Sequence, residues 1–151
     1  MATDTCALCQ LLDTVPVSLD IHADDDWRVF IHPEYSRPEC LWLVANGHVD
    51  GLWGMSDAQA GSFGSIVRDV AGLLREACDG QKVYVVSFGE NHDHFHALLI
   101  TRVDADDGLR GLALVNDHLS KTKKATAAAE AVAAAIRQGL ADRLAVDEPS
   151  V

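Results

Sequence analysis

Three histidines stand at alternate positions, His92, His94 and His96, and the apolar run Ala97-Leu98-Leu99-Ile100 follows them. Alternation suits a β-strand, in which side chains at i, i+2 and i+4 share one face. On this reading residues 92–102 form a strand, and its three imidazoles stand in a row roughly 7 Å apart. Phe95 and Ala97 point the other way, into a core. Imidazoles on an exposed face gain nothing from burial, so the row points to metal, phosphate or nucleophilic chemistry. All three rings on one ion is a weak arrangement, because alternation along a strand spreads them too far apart.

The rest of the chain supplies a sheet for that strand. Residues 18–23 alternate polar and apolar, Asp24-Asp25-Asp26 make a turn, and residues 27–32 read as the second arm of a hairpin. The continuous apolar run Cys40-Leu41-Trp42-Leu43-Val44-Ala45 suits a central strand. Ser56-Asp57-Ala58-Gln59 has the pattern of a capping box and starts a helix that Asp79-Gly80 stops. Residues 82–88 form a fourth strand, joined by the bend Gly89-Glu90-Asn91 to the histidine strand as a hairpin. A short helix or turn is expected over 4–13, another short helix over 109–119 and an alanine-rich helix over 122–144. The expected class is α+β, with an antiparallel sheet of about five strands. With 151 residues, one domain covers the chain, its C-terminal helical extension running over about 109–145.

The formal net charge of −11 argues against wrapping a nucleic-acid polymer, whose affinity comes largely from Lys and Arg on phosphates. A small phosphorylated ligand is still compatible, since backbone N–H groups and imidazoles can hold one locally. No apolar run approaches a membrane span. Met1-Ala2-Thr3-Asp4 lacks a basic flank and an apolar signal segment, so the cytoplasm is the expected location. Disulfides are unexpected there, and Cys40 and Cys78 read as small buried hydrophobes.

Cys6-x-x-Cys9 is a spacing at which two thiolates converge on one ion; a redox pair or chance explains it equally well until two more ligands are found. A structural zinc needs two more ligands, and the chain offers seven histidines. His48 follows a core strand and a glycine, and His92 opens the histidine strand at the same sheet edge, so Cys6, Cys9, His48 and His92 are the expected set. Four protein ligands leave no open position for water, so such a zinc is structural. His22, His32 and His118 read as solvated surface.

His-x-His-x-His followed by apolar residues resembles the signature of the histidine-triad superfamily of nucleotidyl hydrolases and transferases. The resemblance covers roughly residues 6–102. It implies a histidine-triad-like fold and supports the zinc set. Several bacterial members, and the related galactose-1-phosphate uridylyltransferases, carry zinc on a Cys-x-x-Cys pair, a His after a core strand and the first His of the triad. It implies that the middle imidazole, His94, attacks an α-phosphorus and forms a covalent nucleotidyl-histidine. His96 then donates to a phosphoryl oxygen or assists the leaving group, and Asn91 is a candidate for touching phosphate. The implied substrate is a small nucleotide, either a dinucleoside polyphosphate or a nucleoside phosphoramidate, and the implied assembly is a homodimer. The alternative is a catalytically weak nucleotide-binding or scaffold protein on the same zinc-stabilised fold. The sequence departs from the pattern in three places: Asp93 holds an intervening position that is usually apolar in the family, the bend before the triad is shorter than in the family's purine phosphoramidases and dinucleoside-polyphosphate hydrolases, and the strand leading to His48 ends Ala45-Asn46-Gly47 without the usual Pro and Lys.

Overall fold

Period-two stretches become one sheet and period-3.6 stretches become the helices that cover it. The computed structural model describes residues 5–35, 37–120 and 126–147. Its elements run α1 (Ala7–Leu12), β1 (Asp20–Ala23), β2 (Trp27–Phe30), β3 (Cys40–Ala45), α2 (Asp57–Ala77), β4 (Lys82–Val86), β5 (His96–Arg102), α3 (Gly111–Ser120) and α4 (Ala127–Asp147). The five strands form one antiparallel sheet in the order β1-β2-β3-β5-β4. The class is therefore α+β, as expected. No described helix is long and apolar enough to cross a membrane.

β3 is central and every one of its residues is buried, which explains its unbroken apolar run. Its side chains divide between two cores. Leu41, Leu43 and Ala45 join Val70, Leu73 and Leu74 of α2 and Ala129, Ala133 and Ile136 of α4 on one face. Cys40, Trp42 and Val44 join Leu8 of α1 and Leu114 and Val115 of α3 on the other. Ala129 and Ala133 of α4 are fully buried in the first core, where their small side chains let the helix lie close.

The capping box is formed: Ser56 Oγ accepts from the Gln59 N–H at 3.1 Å and the Gln59 side chain accepts from the Ser56 N–H at 3.1 Å. Gln59 also reaches out of its helix and donates to the Asn46 carbonyl at 3.0 Å, tying the start of α2 to the end of β3. The N-terminal segment is fixed in a similar way. Arg28 pairs with both carboxylate oxygens of Asp20 at 2.8 and 2.9 Å and donates to the Leu12 carbonyl at 3.2 Å.

One expectation is corrected. The strand expected over 92–102 starts only at His96. Its neighbours end there: Val44 of β3 is paired with His96, and Val86, the last residue of β4, with Leu98. Residues 87–95 instead form a bend, turning at Gly89 with φ +71°. His92 and His94 therefore leave the sheet, and the row of three imidazoles on one strand does not form.

Candidate functional site: a metal centre beside an imidazole-lined cavity

The bend brings the histidines to two different places. Phe95 is pinned on both sides, its N–H donating to the Val49 carbonyl and its carbonyl accepting from the Ala45 N–H at 3.2 Å. Those bonds clamp the 94–95 segment against the loop that leaves β3. That loop turns at Gly47, whose φ of +76° lies in the left-handed region that favours glycine. His48 is thereby carried towards α1.

Cys6, Cys9, His48 and His94 converge there, with one ligating atom of each lying within 4.8 Å of all the others. The Cys9 Sγ is 3.3 Å from the His94 Nδ1 and 3.6 Å from the His48 Nδ1, and the Cys6 Sγ is 3.5 Å from the His94 Nδ1. Zinc–sulfur bonds of about 2.3 Å and zinc–nitrogen bonds of about 2.0–2.1 Å in a tetrahedron put S and N about 3.5 Å apart. The donor set and its spacing thus fit a tetrahedral ion. The second nitrogen of His94, Nε2, donates to the Ala45 carbonyl at 2.8 Å, which leaves the Nδ1 lone pair aimed at the cluster. Burial, followed by the neighbouring Cys6, pushes the Cys9 thiol up to about 11. A cation held at the centre would oppose that tendency at Cys9.

The fourth member is His94 where His92 was expected. His94 is completely buried and both its ring nitrogens are engaged, so it presents no lone pair to an incoming phosphorus. The expected role of His94 as nucleophile does not survive that geometry.

His92 and His96 lie together in a separate cavity of about 180 Å³, lined also by Trp42, Tyr35, Asn91 and Leu98. The His96 Nδ1 donates to the His94 carbonyl at 2.8 Å. A carbonyl can only accept, so the hydrogen sits on Nδ1 and neutral His96 keeps its lone pair on Nε2. Burial lowers the His96 pKa, with the His94 carbonyl bond opposing and His92 and His94 adding to the fall. The Trp42 indole lies flat on the His96 ring at 5.2 Å and 9°. The His92 ring meets His96 edge-on at 5.7 Å and 73°. Asn91 lines the same cavity and is exposed.

Two histidines expected at the surface are buried. His32 is 7% exposed and packs against Trp42 at 4.6 Å and Tyr35 at 4.7 Å. Burial, helped by His92, lowers its pKa to about 4, and its Nδ1 accepts from the Glu34 N–H at 3.1 Å. His118 of α3 is 5% exposed, with Nε2 4.0 Å from an Asp106 carboxylate oxygen. His22 is half-buried and pairs with Asp24 at 2.7 Å. Cys40 is buried as expected, and Cys78 is half-buried.

A signal for the shift by two positions was present in the sequence. Anchored on His92, the pattern places Asp93 where an apolar residue belongs. Anchored on His94, the intervening residues are Phe95 and Ala97, both apolar and both in the core under α2.

This sheet with its covering helices is the fold of the histidine-triad proteins. The chain is similar to a zinc-bound histidine-triad family protein from Mycobacterium smegmatis, with TM-score 0.69 and 12% identity over 96% of this chain and 99% of that one. It is similar to a HIT-like protein involved in cell-cycle regulation from Bartonella henselae, with TM-score 0.65 and 18% identity over 90% of this chain and 97% of that one. It is also similar to a uridylyltransferase, with TM-score 0.64 and 15% identity over 91% of this chain and 45% of that one. No family model and no curated protein matches the chain in sequence.

Proposed function

We propose that this protein is a nucleotidyl hydrolase or transferase of the histidine-triad type, with His96 as its nucleophile and a structural zinc on Cys6, Cys9, His48 and His94. The observation that carries the reading is the bond from His96 Nδ1 to the His94 carbonyl. It holds one imidazole beside the cavity in the tautomer a nucleophile needs. In the family pattern the zinc histidine comes first and the attacking histidine two residues later. With His94 as the zinc ligand, that position is His96.

Zinc, when bound, holds α1 and the β3 exit loop to the bend that precedes β5, and so fixes the carbonyl that orients His96. The chain's own residues do the rest. His96 Nε2 attacks the α-phosphorus, the leaving group departs, and water or another acceptor then breaks the P–N bond. Asn91 lines the cavity and suits a hydrogen bond to a phosphoryl oxygen. The zinc-bound and uridylyltransferase neighbours support both halves of the reading at the level of the fold. A reducing compartment such as the cytoplasm suits it too, since the two thiols must stay reduced to hold metal. The test is intact-protein mass spectrometry without acid after mixing with adenosine 5′-phosphoramidate. Wild type is expected to gain a nucleotidyl mass and His96→Ala to gain none. Wild type that forms no adduct and shows no turnover overturns the reading.

A second reading is a nucleotide-binding protein with little turnover. It is favoured by Leu98, which occupies the third triad position when the pattern starts at His94 and is buried at 4% exposure. Nucleotide affinity without hydrolysis is its signature. Either version suits a homodimer built on the outer strand β4 and helix α2, which light scattering on the purified protein tests directly.

A further inference from the structure

The cavity reaches well past His96. Strand pairing sets the distance: His96 lies opposite Val44, and Cys40, four residues away on β3, lies opposite Ile100. At a rise of about 3.3 Å per residue the two levels are roughly 13 Å apart. His96 and Cys40 nevertheless line the same cavity. A phosphate on His96 occupies one end of it. The other end is lined by Arg37, whose carbonyl accepts from the Cys40 N–H at 3.1 Å, and by His118 of α3.

The geometry points to Arg37 as a specificity-determining residue that reads the O6 and N7 edge of a guanine-type base, the nucleotide lying along the sheet from His96 towards α3. The inference rests on the reading of this cavity as a nucleotide site with its phosphate at His96. The state of the guanidinium is the first support. The Arg37 side chain is 13% exposed, its Nη1 donates to Asp117 at 3.0 Å, and the carboxylates of Glu39 and Asp106 stand at 3.7 and 3.8 Å. The bond to Asp117 uses one of five N–H donors, and the other two carboxylates stand beyond hydrogen-bond length. The group is held in place with donors to spare.

Charge decides what this end takes. Three carboxylates around one guanidinium make it acidic, and Glu90 lines the cavity as well. A second phosphate is repelled there, whereas a neutral ring with acceptors on its edge is not. The walls suit a ring. Trp42 and Leu98, paired with each other midway between the two levels, are buried and apolar, and Phe88 and Leu119 are exposed apolar residues on the same cavity. A guanidinium only donates. Guanine and hypoxanthine offer it two acceptors, O6 and N7, in a fork that matches its own, while adenine carries an amino donor where O6 stands. The ligand class is therefore a 6-oxopurine nucleotide.

Titration calorimetry on the zinc-loaded full chain with GMP, IMP and AMP tests this. GMP and IMP are expected to bind about tenfold or more tighter than AMP. AMP binding as tightly as GMP, or tighter, overturns the assignment of Arg37. That order is read on wild type and needs no folded variant. Arg37→Gln and Arg37→Lys, with thermal melts to establish that they fold, are expected to lose most of the preference. A folded variant that keeps it also overturns the assignment. The nucleophile is tested apart from the base, by adduct formation on guanosine and adenosine 5′-phosphoramidates. No adduct from either, beside a clear preference for GMP and IMP, removes His96 as nucleophile and leaves the base assignment standing. No binding of any of the three nucleotides overturns the base assignment and the nucleotide site together.

Discussion

His94 Nδ1 stands 3.3 Å from Cys9 Sγ, across 85 residues of sequence, while His92 lies on the far side of the bend in the imidazole-lined cavity. The two histidines therefore have opposite expected responses to substitution. His94→Ala removes a donor from the S₂N₂ cluster and is expected to lower bound zinc well below one ion per chain, and to lower the melting temperature with it. His92→Ala is expected to retain a full equivalent of zinc. Elemental analysis of the purified variants, together with thermal melts, checks both. Equal metal loss in the two would return His92 to the ligand set.

Chelation follows the same logic. Structural zinc contributes to folding outright, because the unfolded chain holds no preformed site. Here the candidate ligands come from the start of α1, the loop after β3 and the bend before β5, so an ion held by them would tie α1 to the other two segments. Treatment with a strong chelator, with metal loss verified, is expected to lower the melting temperature and loosen residues 5–12 first. Hydrogen exchange on that segment reads the order of events. A melting temperature unchanged after verified metal loss would contradict a structural role.

Most of the fold was legible because sheet and helix periods are local properties. The run 40–45, the capping box at Ser56 and the hairpin β1–β2 all appear where their patterns put them. What the sequence hid was where β5 begins. The alternation of His92, His94 and His96 is as regular as that of a strand, yet a strand lasts only while a neighbour pairs with it. The end of β4 at Val86 and the pairing of Val44 with His96 are long-range facts, and they decide that two of the three histidines lie in a bend. The burial of His32 and His118 was hidden for a similar reason: it depends on tertiary packing, with Trp42 and Tyr35 covering His32 and α3 carrying His118 inward beside Asp106. Asp93 was the one local sign of the true register.

His32 gives the fold a dependence on acid. Its pKa falls from an ordinary value near 6.5 to about 4, first through burial and then through His92. Below pH 6.5 the unfolded chain takes up a proton that the folded chain refuses until about pH 4. Stability is therefore expected to fall as pH drops through that window, and His32's share of the fall to end at about pH 4. His32→Gln carries no titrating group and is expected to lose less between pH 7 and 4.5 than wild type does. Urea melts at the two pH values supply the comparison. Parallel losses in both proteins would assign the acid sensitivity to other groups.

Gln59 is expected to matter more than the residue it caps with. Ser56→Ala removes an N-cap acceptor, which costs about 1 kcal/mol. Gln59→Ala removes the reciprocal half of the box and also leaves the Asn46 carbonyl without the 3.0 Å bond that ties α2 to the end of β3. Gln59 is 5% exposed, so water cannot fully replace that bond. A loss of about 1–3 kcal/mol is expected, larger than for Ser56→Ala, and chemical denaturation of the pair checks the order.

Trp42 joins the core to the cavity. It is 6% exposed, stacks on Phe30 at 6.4 Å and 23°, and covers His96 with its other contacts reaching His32 and Tyr35. Truncating a buried tryptophan costs about 3–5 kcal/mol, through lost burial and the cavity left behind. Trp42→Ala is expected to fall in that range, and Trp42→Phe to cost less because a ring still fills part of the space. Trp42 is not a member of the Cys6, Cys9, His48 and His94 cluster, so the metal content of Trp42→Phe is expected to match wild type. Its turnover is expected to drop all the same, since the smaller ring no longer holds the His96 imidazole flat at the position set by the His94 carbonyl. Full metal with reduced kcat would separate the positioning of His96 from the stability of the fold, and unchanged kcat would show that the carbonyl bond alone suffices.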